Sequence, residues 1–197
     1  MHRTIFDTPV VNTVLRAGSL LFLKVSGWTI EGTLPPAAAK SVFIAAPHTS
    51  NWDLPYTLMV AFTLRLNIYW MGKESIFRPP FRGLMMWLGG IPVNRETSTN
   101  LVAASIAAIK AAAPPLQLVV PPEATRSKTR CWKTGFYYIA VGAGVPIVMA
   151  YMDYANKRSG LGPIFLPSGD IERDMEEIKA FYAPFKGKNA QQFDAGP

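Results

Sequence analysis

Cysteine is almost absent from this chain. Cys131 is the only one in 197 residues, so no intrachain disulfide can form and nothing marks an oxidising compartment; the expectation is a packing residue. Histidine is nearly as scarce. His2 and His48 are the only two, and one cysteine with two histidines is a poor ligand set for structural zinc. Charge is sparse too, at 17% of residues against 49% hydrophobic. Such a composition buries apolar surface and excludes intrinsic disorder.

Acidic residues are the rarer sign, 13 against 20 Lys and Arg, giving a net charge of +7 and a pI of about 9.6. A basic balance suits nucleic acid, anionic lipid or a phosphorylated substrate. Aromatic residues do not interleave with the basic cluster as in nucleic-acid recognition motifs, so no nucleic-acid partner is expected. Also missing are G-x-G-x-x-G, the phosphate-binding P-loop and G-x-S-x-G. These absences argue against nucleotide-cofactor chemistry and against Ser50 as a nucleophile. The N-terminal MHRTIFDTPV lacks the continuous apolar run of a cleavable leader. The longest uncharged run, Thr134 to Met152, is interrupted by Gly142, Gly144 and Pro146, so it reads as helix, loop and strand rather than a membrane span.

What is present alternates between two periods. Residues 9–26 read as an apolar helix with a thin polar side of Asn12, Arg16 and Ser19. Such a helix packs on a core or lies in a lipid interface. Strands are expected at 41–46, 67–71, 91–93, 116–120 and 146–152, with a further piece at 164–166. Helices are expected at 54–65, 79–89, 99–113 (capped by Thr99), 134–142 and 171–182, followed by a polar, frayed end. The prolines opening 79–89 fit a first helical turn. This alternation predicts an α/β fold: one layer of largely parallel sheet flanked by helices, preceded by the N-terminal apolar, amphipathic helix.

Three segments carry candidate chemistry. PHTSNWD places His48 and Asp53 five residues apart, after one strand and before a helix. A turn between them would bring the carboxylate to the imidazole and fix its tautomer. The same residues also fit a relaxed capping box, Ser50 to Asp53, with Asp53 in the first helical turn. The two readings are compatible. GGIPVNR delivers Arg95 from a short strand; alone it could be a surface arginine after a turn. PPEATRSKTRCWK crowds Arg126, Lys128, Arg130 and Lys133 after a buried strand. Guanidinium groups there can grip phosphate in a forked geometry, or the run is simply solvated. Glu123 is expected to pair with one of these cations. Lys73 follows another strand and could join the same basic pocket. Backbone N–H groups at the helix start after Ser50 are candidates for holding an oxyanion.

In order, H-x-x-x-x-D, G-x-I-P-V-x-R, E-x-T-R-S and V-P-I-V resemble the conserved blocks of the glycerolipid (lysophospholipid) acyltransferase family, across about residues 40–152. The resemblance implies that His48 is a general base with Asp53 as its partner. It implies that Arg95, Thr125 and Arg126 bind the acceptor's phosphate with Glu123 nearby, and that Val145 and Pro146 open a structural or donor-related block. Ala124 departs from the family's glycine, which would permit positive φ and close approach to an anion. The function implied is acyl transfer from a thioester to a lysophospholipid hydroxyl, most simply that of 1-acylglycerol-3-phosphate. No cofactor is expected; acyl-CoA or acyl carrier protein is the cosubstrate, and the membrane surface is the other partner. Residues 1–30 are then a membrane-contacting segment and 31–197 the acyltransferase domain, peripheral on the cytoplasmic side. Two other readings stay open: an O-acyltransferase for another amphiphile, such as a lyso-aminolipid or glycolipid, and a non-catalytic lipid-binding relative.

Overall fold

The structure, a computed structural model, describes residues 2–93, 101–129 and 131–195. Helix α1 (Pro9–Val25) leads to a short strand, β1 (Thr29–Glu31). The α/β alternation follows: β2 (Lys40–Ala46), α2 (Asp53–Leu64), β3 (Ile68–Lys73), α3 (Arg82–Trp87), β4 (Gly90–Val93), α4 (Leu101–Ala111), β5 (Leu116–Val120), α5 (Gly135–Ala143), β6 (Ile147–Asp153), β7 (Arg158–Phe165) and α6 (Ile171–Tyr182). Among the described residues the strands form one seven-stranded sheet, ordered β1-β7-β6-β2-β5-β3-β4.

The expected parallel sheet is there. β6, β2, β5, β3 and β4 are parallel neighbours. β7 runs antiparallel to β6, and β1 pairs with β7 in parallel. These two strands reverse direction because a short turn, not a crossover helix, joins β6 to β7. β7 is also longer than the expected 164–166 piece, and β1 had no signal: its three residues, Thr-Ile-Glu, are too few to show a period. Pro79 and Pro80 lie in the turn before α3 rather than in its first helical turn. Thr99, the expected cap of the 99–113 helix, lies outside the described residues.

The central strands are buried on both faces, which explains their continuous apolar runs. Along β2 the side chains alternate: Val42, Ile44 and Ala46 pack with α4, α5 and α6 through Ile109, Phe136, Ile139 and Ile178. Phe43 turns to the opposite face, with Ala61 and Leu66 of the α2 end. Gln117 is wholly buried in β5, yet its amide is satisfied, accepting from Asn67 N–H and donating to the Ala39 carbonyl. On the α2 side, Leu23 and Trp28 seat α1 against Tyr56 and Met59.

α1 is oriented against the simplest packing rule. Its polar side faces inward: Ser19 is buried, Asn12 donates to the Phe6 carbonyl, and Arg16 carries a buried Nε with no partner among the described residues. Val10, Val14, Leu21 and Val25 face outward, between 64% and 79% exposed. Their spacing of four, seven and four residues keeps them in one narrow stripe.

Candidate active site

His48 follows the C-terminal end of β2, Lys73 ends β3, and Glu123 to Arg126 follow β5. β5 lies between β2 and β3 in the sheet, so three loops open at one carboxyl edge, where open α/β sheets place their ligands. Between them is a cleft of about 520 Å³, lined by His48, Asp53, Lys73, Thr125 and Arg126 among others. A second, interior cavity of about 60 Å³ meets it at His48 and Asp53 and runs between apolar side chains including Phe43, Val60, Val119 and Leu161.

The His48–Asp53 pair forms as a local turn permits. Asp53 Oδ2 lies 3.1 Å from His48 Nδ1. The same oxygen accepts the N–H groups of Thr49 at 2.8 Å and Ser50 at 2.9 Å. Asp53 opens α2 and reaches back to these amides, so the pairing forms as expected; of the capping box only the Asp53 half is made, because Trp52 is the N-cap and no side-chain cap hydrogen bond is formed. Because a carboxylate oxygen surrounded by donors only accepts, Nδ1 carries the proton and Nε2 is left as the basic nitrogen of the ring. His48 keeps 22% of its side-chain surface exposed, while Asp53 keeps 6%.

Tyr154, just past β6, had no place among the expected site residues. Its hydroxyl donates to Asp53 Oδ1 at 2.9 Å, which completes four donors around a buried carboxylate. Burial, then the Asp53 charge, pushes the Tyr154 hydroxyl well above its ordinary value, so it stays a donor. No motif in the sequence flags this tyrosine, because the contact spans 101 positions.

Three expectations about this region are corrected. Glu123 pairs with no cation among the described residues. It is 5% exposed, Oε1 accepts the His48 backbone N–H at 2.9 Å, and Oε2 has no partner there. Burial raises its pKa, against the lowering effect of the His48 N–H. Of the charge run that suggested pairing, Arg126, Lys128 and Lys133 are exposed to solvent, Arg126 at the cleft wall. Of the amides after Ser50, the Trp52 N–H donates to Ser50 Oγ and the Asp53 N–H to the Ser50 carbonyl, so these two are not open to an oxyanion; the Thr49 and Ser50 amides before them are engaged by Asp53. Cys131 is exposed rather than packed. Arg95 and Arg130 lie outside the described residues. Among the described residues no three His, Cys, Asp or Glu side chains gather as a metal site, and no helix is long and apolar enough to cross a membrane.

Ala124 adopts the left-handed backbone, φ 52°, that a glycine would take freely. The turn it makes, with its N–H on the Pro121 carbonyl at 3.1 Å, swings Thr125 and Arg126 toward the cleft.

Comparison with known proteins adds four findings. A 1-acyl-sn-glycerol-3-phosphate acyltransferase of Haemophilus influenzae is 30% identical over 130 residues, covering 62% of this chain and 52% of the relative. Its namesake from Salmonella typhimurium is 31% identical over 110 residues, covering 52% and 43% respectively. The chain thus spans about half the length of the curated relatives it matches. The crystal structure of the 1-acyl-sn-glycerophosphate (LPA) acyltransferase PlsC from Thermotoga maritima superposes with a TM-score of 0.64 at 16% identity, over 88% of this chain and 77% of that one. That likeness is one of fold. The Acyltransferase family model matches residues 28–153, more than half the sequence and the part that carries His48, Asp53 and the loop after β5, and on that match the chain belongs to the Acyltransferase family.

Proposed function

We propose that this protein transfers a fatty acyl group from a thioester to a hydroxyl of a lysophospholipid, with 1-acylglycerol-3-phosphate as the acceptor, in phospholipid biosynthesis. The observation that carries the reading is the ring of His48, held through Nδ1 by Asp53 at 3.1 Å, at the junction of a cation-lined cleft and an apolar cavity. The names of the matching relatives point the same way.

In the proposed step His48 Nε2 takes the proton of the acceptor hydroxyl as its oxygen bonds to the thioester carbonyl carbon. Asp53 stabilises the imidazolium. The tetrahedral adduct then collapses, the carbon–sulfur bond breaks, and the imidazolium returns its proton to the departing thiolate. General-base assistance of this kind is worth roughly 10²–10⁴-fold. Arg126, Thr125 and Lys73 face the acceptor phosphate, with Arg95 joining them from the second block. Glu123 acts from beneath, on the backbone of His48. The step uses no cofactor; acyl-CoA or acyl carrier protein is the cosubstrate.

The interior cavity supports a lipid substrate, since it is apolar and opens at the reacting ring. Its 60 Å³ equals the space of about two waters, so the walls must part to admit a long chain. Residues 1–30 are proposed as the lipid-contacting segment, with the outward stripe of α1 in the interface and 31–197 as the acyl-transferring domain. A net charge of +7 favours the anionic cytoplasmic leaflet, where the protein would sit peripherally.

The test is to incubate the protein with an acyl thioester and a panel of lysophosphatidic acid, zwitterionic lysolipids, lyso-aminolipids and glycolipids, and to read products by mass. Lysophosphatidic acid is expected to be acylated fastest. His48→Ala is expected to lose at least about 10²-fold in rate with an unchanged circular-dichroism spectrum. Full turnover by folded His48→Ala, or a trapped acyl-protein, sinks the mechanism. Preference for another acceptor corrects the substrate, and binding without turnover makes the protein a lipid carrier.

A further inference from the structure

The segment from Lys186 to Ala195 lies beyond the family match, and it is no frayed end. It crosses the open edge of the sheet and touches the loops that follow β2, β5 and β6. The Tyr154 N–H donates to the Lys186 carbonyl at 2.9 Å. Asn189 clasps Thr49, the residue after His48: its N–H donates to Thr49 Oγ1 at 3.2 Å and its side-chain amide to the Thr49 carbonyl at 2.8 Å. Gln192, with its amide oriented so that the nitrogen faces two backbone carbonyls, donates to that of Thr49 at 3.0 Å and to that of Arg126 at 2.8 Å. Asp194 holds the other side of the second loop: its carboxylate Oδ2 meets Lys128 Nζ at 3.5 Å, and its backbone oxygen accepts the Trp132 indole N–H at 3.3 Å. Gly187 is buried against Thr49 so closely that a Cβ there would meet its Oγ1 at 2.5 Å.

We propose that this segment is a strap whose residues Asn189 and Gln192 are positioning residues, fixing the distance between the loop that carries His48 and the loop that carries Arg126. The two loops are tied twice. From inside, Glu123 accepts the His48 N–H; from outside, Gln192 bridges the Thr49 and Arg126 carbonyls. Thr49 is gripped from both sides, its N–H by Asp53 and its carbonyl and hydroxyl by the strap. The inference rests on the reading that His48 deprotonates an acceptor whose phosphate sits at Arg126. For such an acceptor the spacing of the two loops decides whether the hydroxyl meets Nε2, and a misplacement of about 1 Å can cost about 10²-fold.

Gln192→Glu keeps the length of the side chain but sets an acceptor against two carbonyls, and Asn189→Ala removes the side-chain bond to the Thr49 carbonyl while leaving the backbone one. With lysophosphatidic acid and an acyl thioester, each variant is expected to lose about tenfold or more in kcat. The acceptor and donor KM should change by less than about threefold, because the phosphate still finds Arg126 but the hydroxyl no longer meets the ring. Amide hydrogen exchange supplies the arm that needs no activity: the N–H groups of Thr49 and Ser50, and those of residues 125–127, should exchange faster in both variants. Unchanged kcat per folded molecule, or a loss matched by the loss of folded protein alone, overturns the proposal. So does unchanged exchange at these amides. If the parent enzyme acylates no lysolipid, it is the functional reading that fails, and the exchange measurement alone then decides whether the strap holds the two loops.

Discussion

Ala124 holds a left-handed backbone, φ 52°, at the position that turns Thr125 and Arg126 into the cleft. A residue with a Cβ is destabilised in that region by roughly 1–2 kcal/mol, and a glycine loses part of the difference through its freer unfolded chain. Ala124→Gly is therefore expected to stabilise the protein by up to about 1 kcal/mol, read as a higher denaturant midpoint at unchanged slope. A lower midpoint would show that the methyl group packs usefully. Glu123 presents the opposite case, a buried acid whose folded pKa is raised above its ordinary value of 4.5, chiefly by burial. The folded state then holds its proton more firmly than the unfolded chain. Its contribution to stability is full below 4.5 and is lost as the pH rises through the folded value. Glu123→Gln keeps an acceptor for the His48 N–H and removes the titration. Its melting temperature should vary less than the parent's between about pH 5 and pH 8. Near neutrality it should be higher by a few degrees, for a gain on the order of 1 kcal/mol. Identical pH profiles for the two proteins would show that the carboxyl does not titrate in this range.

At the scale of elements, α1 is the piece whose packing departs most from a water-facing surface helix. Val10, Val14, Leu21 and Val25 point away from the protein, while Asn12, Arg16 and Ser19 point into it. Phe81, Leu84 and Trp87, on and beside α3, are further large apolar side chains left exposed. An outward apolar stripe gains free energy by entering a lipid interface, at about 25 cal/mol for each Å² removed from water. Val14→Asp with Leu21→Asp should weaken binding to anionic vesicles about tenfold or more in a sedimentation assay, with little change in melting temperature because neither side chain is in the core. Equal vesicle binding by this double variant would exclude α1 from the lipid contact. The periodicity of 9–26 was readable in the sequence, but its rotation was not. A helical period shows which residues share a side, and only the neighbours Leu23, Trp28 and Tyr56 decide which side is turned inward.

Across the whole molecule, the elements most legible in the sequence are the central ones. β2, β5, α5, β6 and α6 follow the expected residues to within about one or two positions, the normal uncertainty of element ends; the first four are apolar runs bounded by glycine or proline, and α6 has a helical period of apolar residues among charged ones. The edges of the sheet were less legible. β1 is three residues long, and β7 contains two glycines and a proline, so neither carries a clear alternation. The candidate site divides in the same way. His48 and Asp53 were legible because five residues of chain suffice to bring them together, and their block, with the loop after β5, falls within the ordered pattern of the family. Tyr154, Asn189 and Gln192 were not, since each contact with Asp53, Thr49 or Arg126 joins segments far apart in the chain.

The amino-acid order by itself therefore determined the alternation of strands and helices, the local His48–Asp53 turn and the basic loop after β5, because all three depend on spacings of a few residues. Tertiary structure alone decided which way α1 faces, that Glu123 accepts the His48 backbone N–H and meets no cation among the described residues, and that the C-terminal segment binds the loops together. Those outcomes depend on which distant groups become neighbours when the sheet closes, and on the need of each buried donor and acceptor for a partner.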